Sequence, residues 1–387
     1  MRIRLRIGLL GRVALAIVVG AALGWCMPLW LIRFCATCAS IFGSFLGFAV
    51  PLIIIGLVTA AIANIGAAAK RLLIITAVLA YAFTVGSGLI AYFVGSTVFP
   101  SLVTASSTMT ETQSVDVSPF ISIDIPPIMN VMTALIFSFI AGLGIASVNS
   151  RPLRRAVDDF SLIINKMITR VIIPCLPFYI FCIFAQMAFA GQVVSVLLVF
   201  LKIIGVIFVL HFGVLIVQFC IAAAVVRRNP FRLLVAMAPA YFTALGTQSS
   251  AATIPVTLRC AMQNGVSEPI ARFVIPLCAT IHLSGSTMKI VACAIALMLM
   301  QDIAFDAPLM LQFILILGVT MVAAPGVPGG AIMAALGILQ SVLGFDADAQ
   351  ALMIALYIAM DSFGTACNVT GDGAIALIIN KFAAKRL

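Results

Sequence analysis

Two carboxylates lie inside one long apolar segment of the chain. Asp361 and Asp372 belong to the stretch DSFGTACNVTGDG, which lies between the apolar runs ALMIALYIAM and AIALIIN. In a helix, Asp361, Thr365, Asn368 and Asp372 follow at i, i+4, i+7 and i+11, so they form one stripe. A carboxylate in the middle of a membrane span costs about 3 kcal/mol on insertion scales, which makes it a functional residue by default.

The stripe offers two kinds of chemistry. Asp361 suits the ammonium group of a substrate, and Thr365 and Asn368 are able to hydrogen-bond a carboxylate or a polar tail. Asp372 and Asn368 present hard oxygen ligands, which a small cation such as sodium prefers. A buried polar network with a purely structural role is the alternative that the residues leave open.

Composition places this stripe in a membrane protein. Of the 387 residues, 64% are hydrophobic and 9% are charged, and the mean hydropathy is +1.25. Apolar runs of about 18 or more residues predict membrane spans. We therefore predict an all-α polytopic membrane protein, and we read the first apolar run as a span and not as a signal peptide. The eight predicted spans are 9–31, 41–66, 72–99, 128–147, 163–190, 195–225, 270–299 and 349–379.

Basic residues predict the orientation of these spans. The net charge is +10, but Lys and Arg mostly flank the apolar runs, as topology signals do, and form no patch for nucleic acid. Basic clusters precede span one, follow spans two, four and six, and end the sequence, whereas residues 72–150 contain neither Lys nor Arg. We expect both termini on the cytoplasmic side of the cytoplasmic membrane.

Two further apolar segments, 233–260 and 307–342, are interrupted midway and must each enter and leave the membrane on one side. We predict re-entrant helical hairpins, the first opening from the cytoplasm and the second from outside. Ser249 and Ser250 lie where the arms of the first meet, and the second carries APGVPGG at its tip. Broken helices at membrane depth build transport sites, with helix N-termini facing anions. Small-residue helix packing or a bend without a ligand is the plainer alternative.

Span seven contains CATIHLSGSTMKIVACAI, from 278 to 295. Gly285, among several hydroxyl residues, predicts an unwound middle. His282 and Lys289 are seven residues apart and so would share a helix face. A lysine in mid-span needs a carboxylate, a carbonyl cage or water. We expect a positive charge here to stand in for a bound cation, and His282 to carry a coupling proton; a neutral, structural His282 is the alternative.

The order of these parts resembles the dicarboxylate/amino acid:cation symporters, which include bacterial and archaeal relatives of glutamate transporters. The motifs SSAATIPVTL, GVPGG and NVTGD carry the resemblance, which extends over essentially the whole chain. It implies an elevator-type fold of eight spans plus two hairpins, a homotrimer in membrane lipid, no catalytic site, and no cofactor beyond a monovalent coupling cation, Na⁺ or H⁺. It also implies four parts: scaffold helices 1–2 in 1–71, helix 3 of the transport domain with an extracellular loop in 72–127, scaffold helices 4–5 in 128–193, and the rest of the transport domain in 194–387.

The resemblance also assigns site roles, residue by residue. It implies a substrate site made of Ser249, Ser250, Ser286, Val327, Pro328, Gly329, Asp361, Thr365 and Asn368. It implies cation-binding positions at Cys278, Thr280, His282, Asn368 and Asp372, of which Asn368 and Asp372 are the sodium ligands.

Two departures from the family pattern bear on substrate and coupling. Members that take acidic substrates carry an Arg where this chain has Gly364. The first hairpin is an alternative place for such an Arg, and this chain has Gln248 there. A second substrate carboxylate would then be buried unpaired, which is costly. We therefore expect an amino acid with a neutral side chain; an acidic amino acid or C4-dicarboxylate, with a cationic partner elsewhere, is the alternative. The usual NMDGT of span seven reads HLSGS here, so we expect fewer coupled sodium ions.

A channel and an intramembrane enzyme are the two alternatives to a transporter. A channel needs a continuous polar pore, whereas these polar residues cluster at one depth. An intramembrane enzyme built on Ser249, His282 and Asp361 would need a tight nucleophile turn, which the sequence lacks.

Overall fold

The computed structural model describes residues 8–67, 71–107, 117–148, 150–324 and 328–384, and every regular element in these ranges is a helix. The first eight helices are α1 Leu9–Gly24, α2 Leu29–Ala67, α3 Arg71–Ser107, α4 Val131–Val148, α5 Arg151–Met167, α6 Ile173–Phe189, α7 Val193–Val226 and α8 Pro230–Val235. The other eight are α9 Ala238–Thr247, α10 Ser250–Gln263, α11 Glu268–Ile281, α12 Ser284–Met300, α13 Ala307–Met321, α14 Gly330–Leu343, α15 Ala347–Ala359 and α16 Asp361–Ala384.

The predicted all-α class is confirmed, and the chain is a multi-pass membrane protein. In the described ranges, six helical stretches are long and apolar enough to cross a membrane, and shorter apolar helices accompany them. The exact count of eight spans plus two hairpins stays a prediction. The six stretches are Leu29–Ala63, Leu72–Val103, Arg151–Phe189, Val196–Val226, Glu268–Met300 and Asp361–Ala383.

Several predicted boundaries are wrong. Residues 29–31, assigned to span one, belong to α2, because Pro28 follows the turn that ends α1 and starts the next helix. Span five begins earlier than position 163, at Arg151, where Ser150 caps the helix by accepting the backbone N–H of Leu153. Charged side chains in α5 hide this extension from a hydropathy window, and a single π-helical turn, Ile168–Ile172, joins α5 to α6.

The spans that carry the polar residues are broken near their middles. The seventh is interrupted at His282 and Leu283, just before the predicted position, so that Gly285 lies in the first turn of α12. The eighth is interrupted at Met360, and α16 starts at Asp361. The predicted stripe therefore lies wholly on α16 and begins at its N-terminus.

Helix packing places α16 at the centre of the polar region. α7, α9, α10, α11 and α12 all pack against it, and its residues from 361 to 379 are buried almost throughout. Elsewhere, α1 packs along α6, α2 along α4, and α3 along α12. The predicted division into scaffold and transport domain stays a prediction.

Candidate functional site

The tips of both hairpins contact the first two residues of α16. At the tip between α13 and α14, the backbone N–H of Gly329 donates to Asp361 Oδ2 at 2.8 Å. Gly329 has φ +75°, a left-handed conformation that glycine adopts without strain. At the tip between α9 and α10, Gln248 Nε2 donates to Ser362 Oγ at 2.8 Å. The two broken helices α10 and α14 thus direct their N-termini toward one end of α16.

A third helix N-terminus reaches the same helix one to two turns further on. The backbone N–H of Gly285, in the first turn of α12, donates to Asn368 Oδ1 at 2.8 Å. Asn368 Nδ2 donates to Ser286 Oγ at 3.2 Å, and the hydroxyl of Tyr357 donates to the same atom at 2.9 Å. Helix N-termini carry partial positive charge and unpaired N–H groups, so three of them around α16 form surroundings that suit a carboxylate.

The contact between α12 and α16 requires glycine at position 285. A Cβ there would lie 2.5 Å from Cys367 Cβ and 2.6 Å from the carbonyl oxygen of Gly364. We expect Gly285→Ala to lower stability by about 1–3 kcal/mol, because the two helices would have to separate. Thermal unfolding in detergent measures this, with Gly213→Ala on α7 as the matched control, since no atom lies within 4 Å of its added Cβ. Equal melting temperatures for the two variants would contradict the expectation.

Lys289 faces the start of α16. Its Nζ donates to the carbonyl oxygen of Met360 at 3.0 Å, lies 3.8 Å from Asp361 Oδ1, and lies 3.9 Å from the centre of the Tyr357 ring. The prediction that Lys289 and His282 share a helix face is wrong, because the break at His282 and Leu283 separates them. The lysine therefore meets the carboxylate of the predicted substrate site.

His282 faces the other carboxylate. Its Nδ1 lies 2.9 Å from Asp372 Oδ1, and both side chains are fully buried. The histidine stands where the family motif has an Asn, and it engages one oxygen of the predicted sodium ligand. The triad of Ser249, His282 and Asp361 that an enzyme would need is not assembled. His282 pairs with Asp372, while Asp361 lies beside Lys289.

Several buried hydroxyl groups lie on the elements that carry or pack against this second pair. Ser87 on α3 donates to the carbonyl oxygen of Ser284 at 2.7 Å, which holds α3 against α12. Native proteins rarely bury polar atoms without partners, and hydroxyl oxygens are hard ligands that suit sodium. Oxygen atoms of this kind fit a small cation. Among the described residues, the buried hydroxyl oxygens without a hydrogen-bond partner on α3, α12 and α16 are those of Thr84, Ser284, Thr287 and Thr370, and a fifth, that of Thr59, lies on α2.

Sequence reasoning missed the contribution of α3 and of Ser362. The signal for α3 was the polar run TVGSG, residues 84–88, in the middle of an apolar span. Ser362 was overlooked because it lies off the stripe, and only the position of the first hairpin tip gives it a partner.

The other predicted cation-binding and substrate-binding residues lie in different surroundings. The side chain of Thr280 lies on an exposed face of α11 and donates to the carbonyl oxygen of Leu277, so only its backbone carbonyl remains for a cation, and its cation-binding role stays a prediction. The carbonyl oxygen of Cys278 accepts the N–H of His282 at 2.8 Å. Pro328 is at the second hairpin tip, and Val327 lies outside the described residues.

Two hydroxyl residues of the predicted substrate site, Ser249 and Thr365, make local hydrogen bonds. Ser249 caps α10 by accepting the N–H of Ala252 at 3.3 Å, and the adjacent Ser250 is buried. Thr365 donates to the carbonyl oxygen of Asp361 at 3.0 Å. These contacts orient the helix ends, and they leave the backbone N–H groups of the tips as the principal donors for an anion.

A site formed by broken helices whose N-termini meet on one buried helix is typical of membrane transporters and not of enzymes. The chain belongs to the Sodium:dicarboxylate symporter family, whose model matches residues 9–382. It is 35% identical to human excitatory amino acid transporter 3 over 164 residues, which are 42% of this chain and 31% of that protein. It is 31% identical to human excitatory amino acid transporter 2 over 261 residues, 65% of this chain and 44% of that protein. The chain thus spans less than half the length of these relatives.

Proposed function

We propose that the protein carries out cation-coupled symport of an amino acid across the cytoplasmic membrane. The observation that carries this proposal is the meeting of three helix N-termini on α16, next to the carboxylate of Asp361. The helix ends suit the α-carboxylate of an amino acid, and Asp361 suits its ammonium group. Both groups of a zwitterion thereby find partners of opposite charge within one site.

Sodium is the proposed coupling ion, with H⁺ as the alternative. Asp372, Asn368 and the buried hydroxyl groups form the oxygen-rich surroundings that sodium needs. The test is uptake of labelled aspartate and of labelled serine into proteoliposomes, with an inward sodium gradient or none, at two values of pH. No gradient-driven uptake of either amino acid would overturn the proposal.

An elevator movement is part of the proposal. A Cβ built on Gly329, at the tip of the second hairpin, would lie 3.6 Å from Leu9 Cδ2. Leu9 starts α1 directly after the basic N-terminal segment, which the positive-inside rule places in the cytoplasm. A hairpin that opens from outside then has its tip near the cytoplasmic end of α1. This supports movement of 72–127 and 194–387 against a scaffold of 1–71 and 128–193. The proposal also takes both termini as cytoplasmic and three copies as assembled in the lipid bilayer, as the family resemblance implies.

The position of Lys289 bears on which class of side chain the substrate carries. The expectation of a neutral side chain assumed that no cationic residue replaces the missing Arg, and Lys289 is a candidate for that replacement. A Cβ at Gly364 would overlap Cε and Nζ of Lys289, so the lysine from α12 occupies the space into which a side chain at 364 would point. An acidic amino acid, whose second carboxylate pairs with Lys289, becomes the first candidate, and a neutral one the second.

Exchanging the lysine is expected to change selectivity. Lys289→Met removes the charge and keeps an apolar stem, so aspartate and glutamate should lose at least about tenfold in affinity relative to serine and alanine. A competition panel against labelled substrate measures the ratio. Lys166→Met, at an exposed position of α5, is the matched control. Gly364→Arg alone is unsuitable, because the new side chain would collide with Lys289; the variant Gly364→Arg/Lys289→Ala should keep the acidic preference.

Unchanged ratios in Lys289→Met would contradict the acidic assignment. A wild type that takes up serine or alanine far better than aspartate would restore the neutral assignment. Either result leaves the proposal of amino-acid symport in place.

A further inference from the structure

Both oxygens of the substrate-site carboxylate are engaged by the chain itself. Asp361 Oδ2 accepts the N–H of Gly329 from the hairpin tip, and Oδ1 lies 3.8 Å from Lys289 Nζ. Asp361 and Lys289 are both buried, with 6% and 1% of their surfaces exposed. An ammonium group that binds Asp361 therefore competes with these two partners, and it is repelled by Lys289, which carries the same charge.

Geometry decides which partner is replaced. The bond from Gly329 is short and closes the hairpin tip over the site, whereas 3.8 Å exceeds the length of a hydrogen bond. Lys289 also has two other partners, the carbonyl oxygen of Met360 at 3.0 Å and the face of the Tyr357 ring at 3.9 Å. The lysine is able to leave the carboxylate and keep a carbonyl and a cation–π contact.

We propose that Lys289 is a tethered counter-ion that alternates with the ammonium group of the substrate at Asp361. The inference rests on the proposed function and adds a step to it, the return of the unloaded transport domain. With substrate bound, the ammonium group compensates Asp361. Without substrate, Lys289 does so, and the hairpin tip closes over a carboxylate that still has a counter-charge.

The counter-ion matters because net uptake and exchange use different steps. Net uptake requires the domain to return unloaded, whereas exchange of substrate for substrate moves only the loaded domain. A buried carboxylate without a counter-charge is strongly disfavoured. Removal of Lys289 should therefore slow the unloaded return, and it should spare the loaded movement of an amino acid with a neutral side chain, which brings no second carboxylate for Lys289 to compensate.

The experiment compares Lys289→Met with wild type in proteoliposomes at saturating substrate, with the neutral amino acid that the wild type transports best, because an acidic one would also need Lys289 in the loaded state. Net uptake is driven by sodium into empty vesicles, and exchange is measured with the same substrate and sodium on both sides. We expect net uptake to fall at least about tenfold and exchange to stay within about threefold of wild type. Lys166→Met should leave both rates unchanged.

A second variant tests the charge separately from the fold. Lys289→Ala/Gly364→Lys places the ammonium group on α16, in the space that Lys289 vacates, and should restore net uptake. This variant also keeps the proposal falsifiable if Lys289→Met does not fold. The proposal is overturned if net uptake and exchange fall together in Lys289→Met, if neither falls, or if the transplanted lysine folds and fails to restore net uptake. A wild type that shows neither net uptake nor exchange of any amino acid, acidic or neutral, would instead overturn the proposed function.

Discussion

Asp361→Asn is expected to abolish or severely weaken amino-acid uptake while the protein still folds. The amide cannot compensate an ammonium group, and loss of one partner of a buried, charged pair weakens binding by about 2–5 kcal/mol, or roughly thirtyfold and more. We expect the lower part of this range, because Lys289 competes for the same carboxylate in the wild type. Substrate affinity is measured by titration in detergent, and transport by uptake into proteoliposomes.

Asp302→Asn is the matched control for this variant. Asp302 is exposed between α12 and α13 and has φ 52°, a left-handed conformation that Asn also tolerates, so affinity should not change. Should Asp361→Asn leave Lys289 without a counter-charge and prevent folding, the double variant Asp361→Asn/Lys289→Met carries the same test with both charges removed. Transport of amino acids with unchanged affinity would show that Asp361 does not receive the ammonium group.

Sodium dependence is expected to become steeper in His282→Asn/Ser284→Asp than in the wild type. In the wild type, the imidazole of His282 engages Asp372 Oδ1 at 2.9 Å and withdraws that oxygen from a cation. The double variant frees the oxygen and adds a second carboxylate and an amide, which are the ligands that the family motif supplies at these two positions. The Hill coefficient for sodium should rise from about one toward two or more.

The measurement is the initial rate of uptake over a wide range of sodium concentrations at constant ionic strength. Ser284→Ala is the control, because it removes the hydroxyl without adding a ligand and should not steepen the curve. A wild type that already couples about three sodium ions to each substrate would show that His282 has not displaced a cation. Repeating the wild-type curve at two values of pH tests whether a proton takes part.

The sequence predicts those features of the fold that are determined by residues close together along the chain. The stripe of Asp361, Thr365, Asn368 and Asp372 follows from helical periodicity, and it lies on one helix as predicted. The breaks between α9 and α10 and between α13 and α14 follow from Gly, Pro and polar residues within apolar runs, and the two helix pairs overlap the predicted segments, with ends at 263 and 343 in place of 260 and 342. That these pairs are re-entrant stays a prediction. These features are local, so the order of residues along the chain was sufficient for them.

The breaks inside spans seven and eight depended on tertiary structure. Pro51, Pro100, Pro177, Pro255 and Pro276 all lie within helices that continue through them, whereas the break at Met360 contains no proline. The broken ends have partners from distant segments instead, since Asn368 caps α12 and Asp361 binds the second hairpin tip. Local propensity does not encode such partners.

The pairing of charges was likewise decided only in three dimensions. The sequence by itself determined that Asp361, Asp372, His282 and Lys289 are buried in the membrane and need partners, because an ionised side chain at that depth is too costly to leave alone. On a continuous helix His282 and Lys289 would have shared one face. The break between them turns His282 toward Asp372 and Lys289 toward Asp361, and the missing side chain of Gly364 gives the lysine its space.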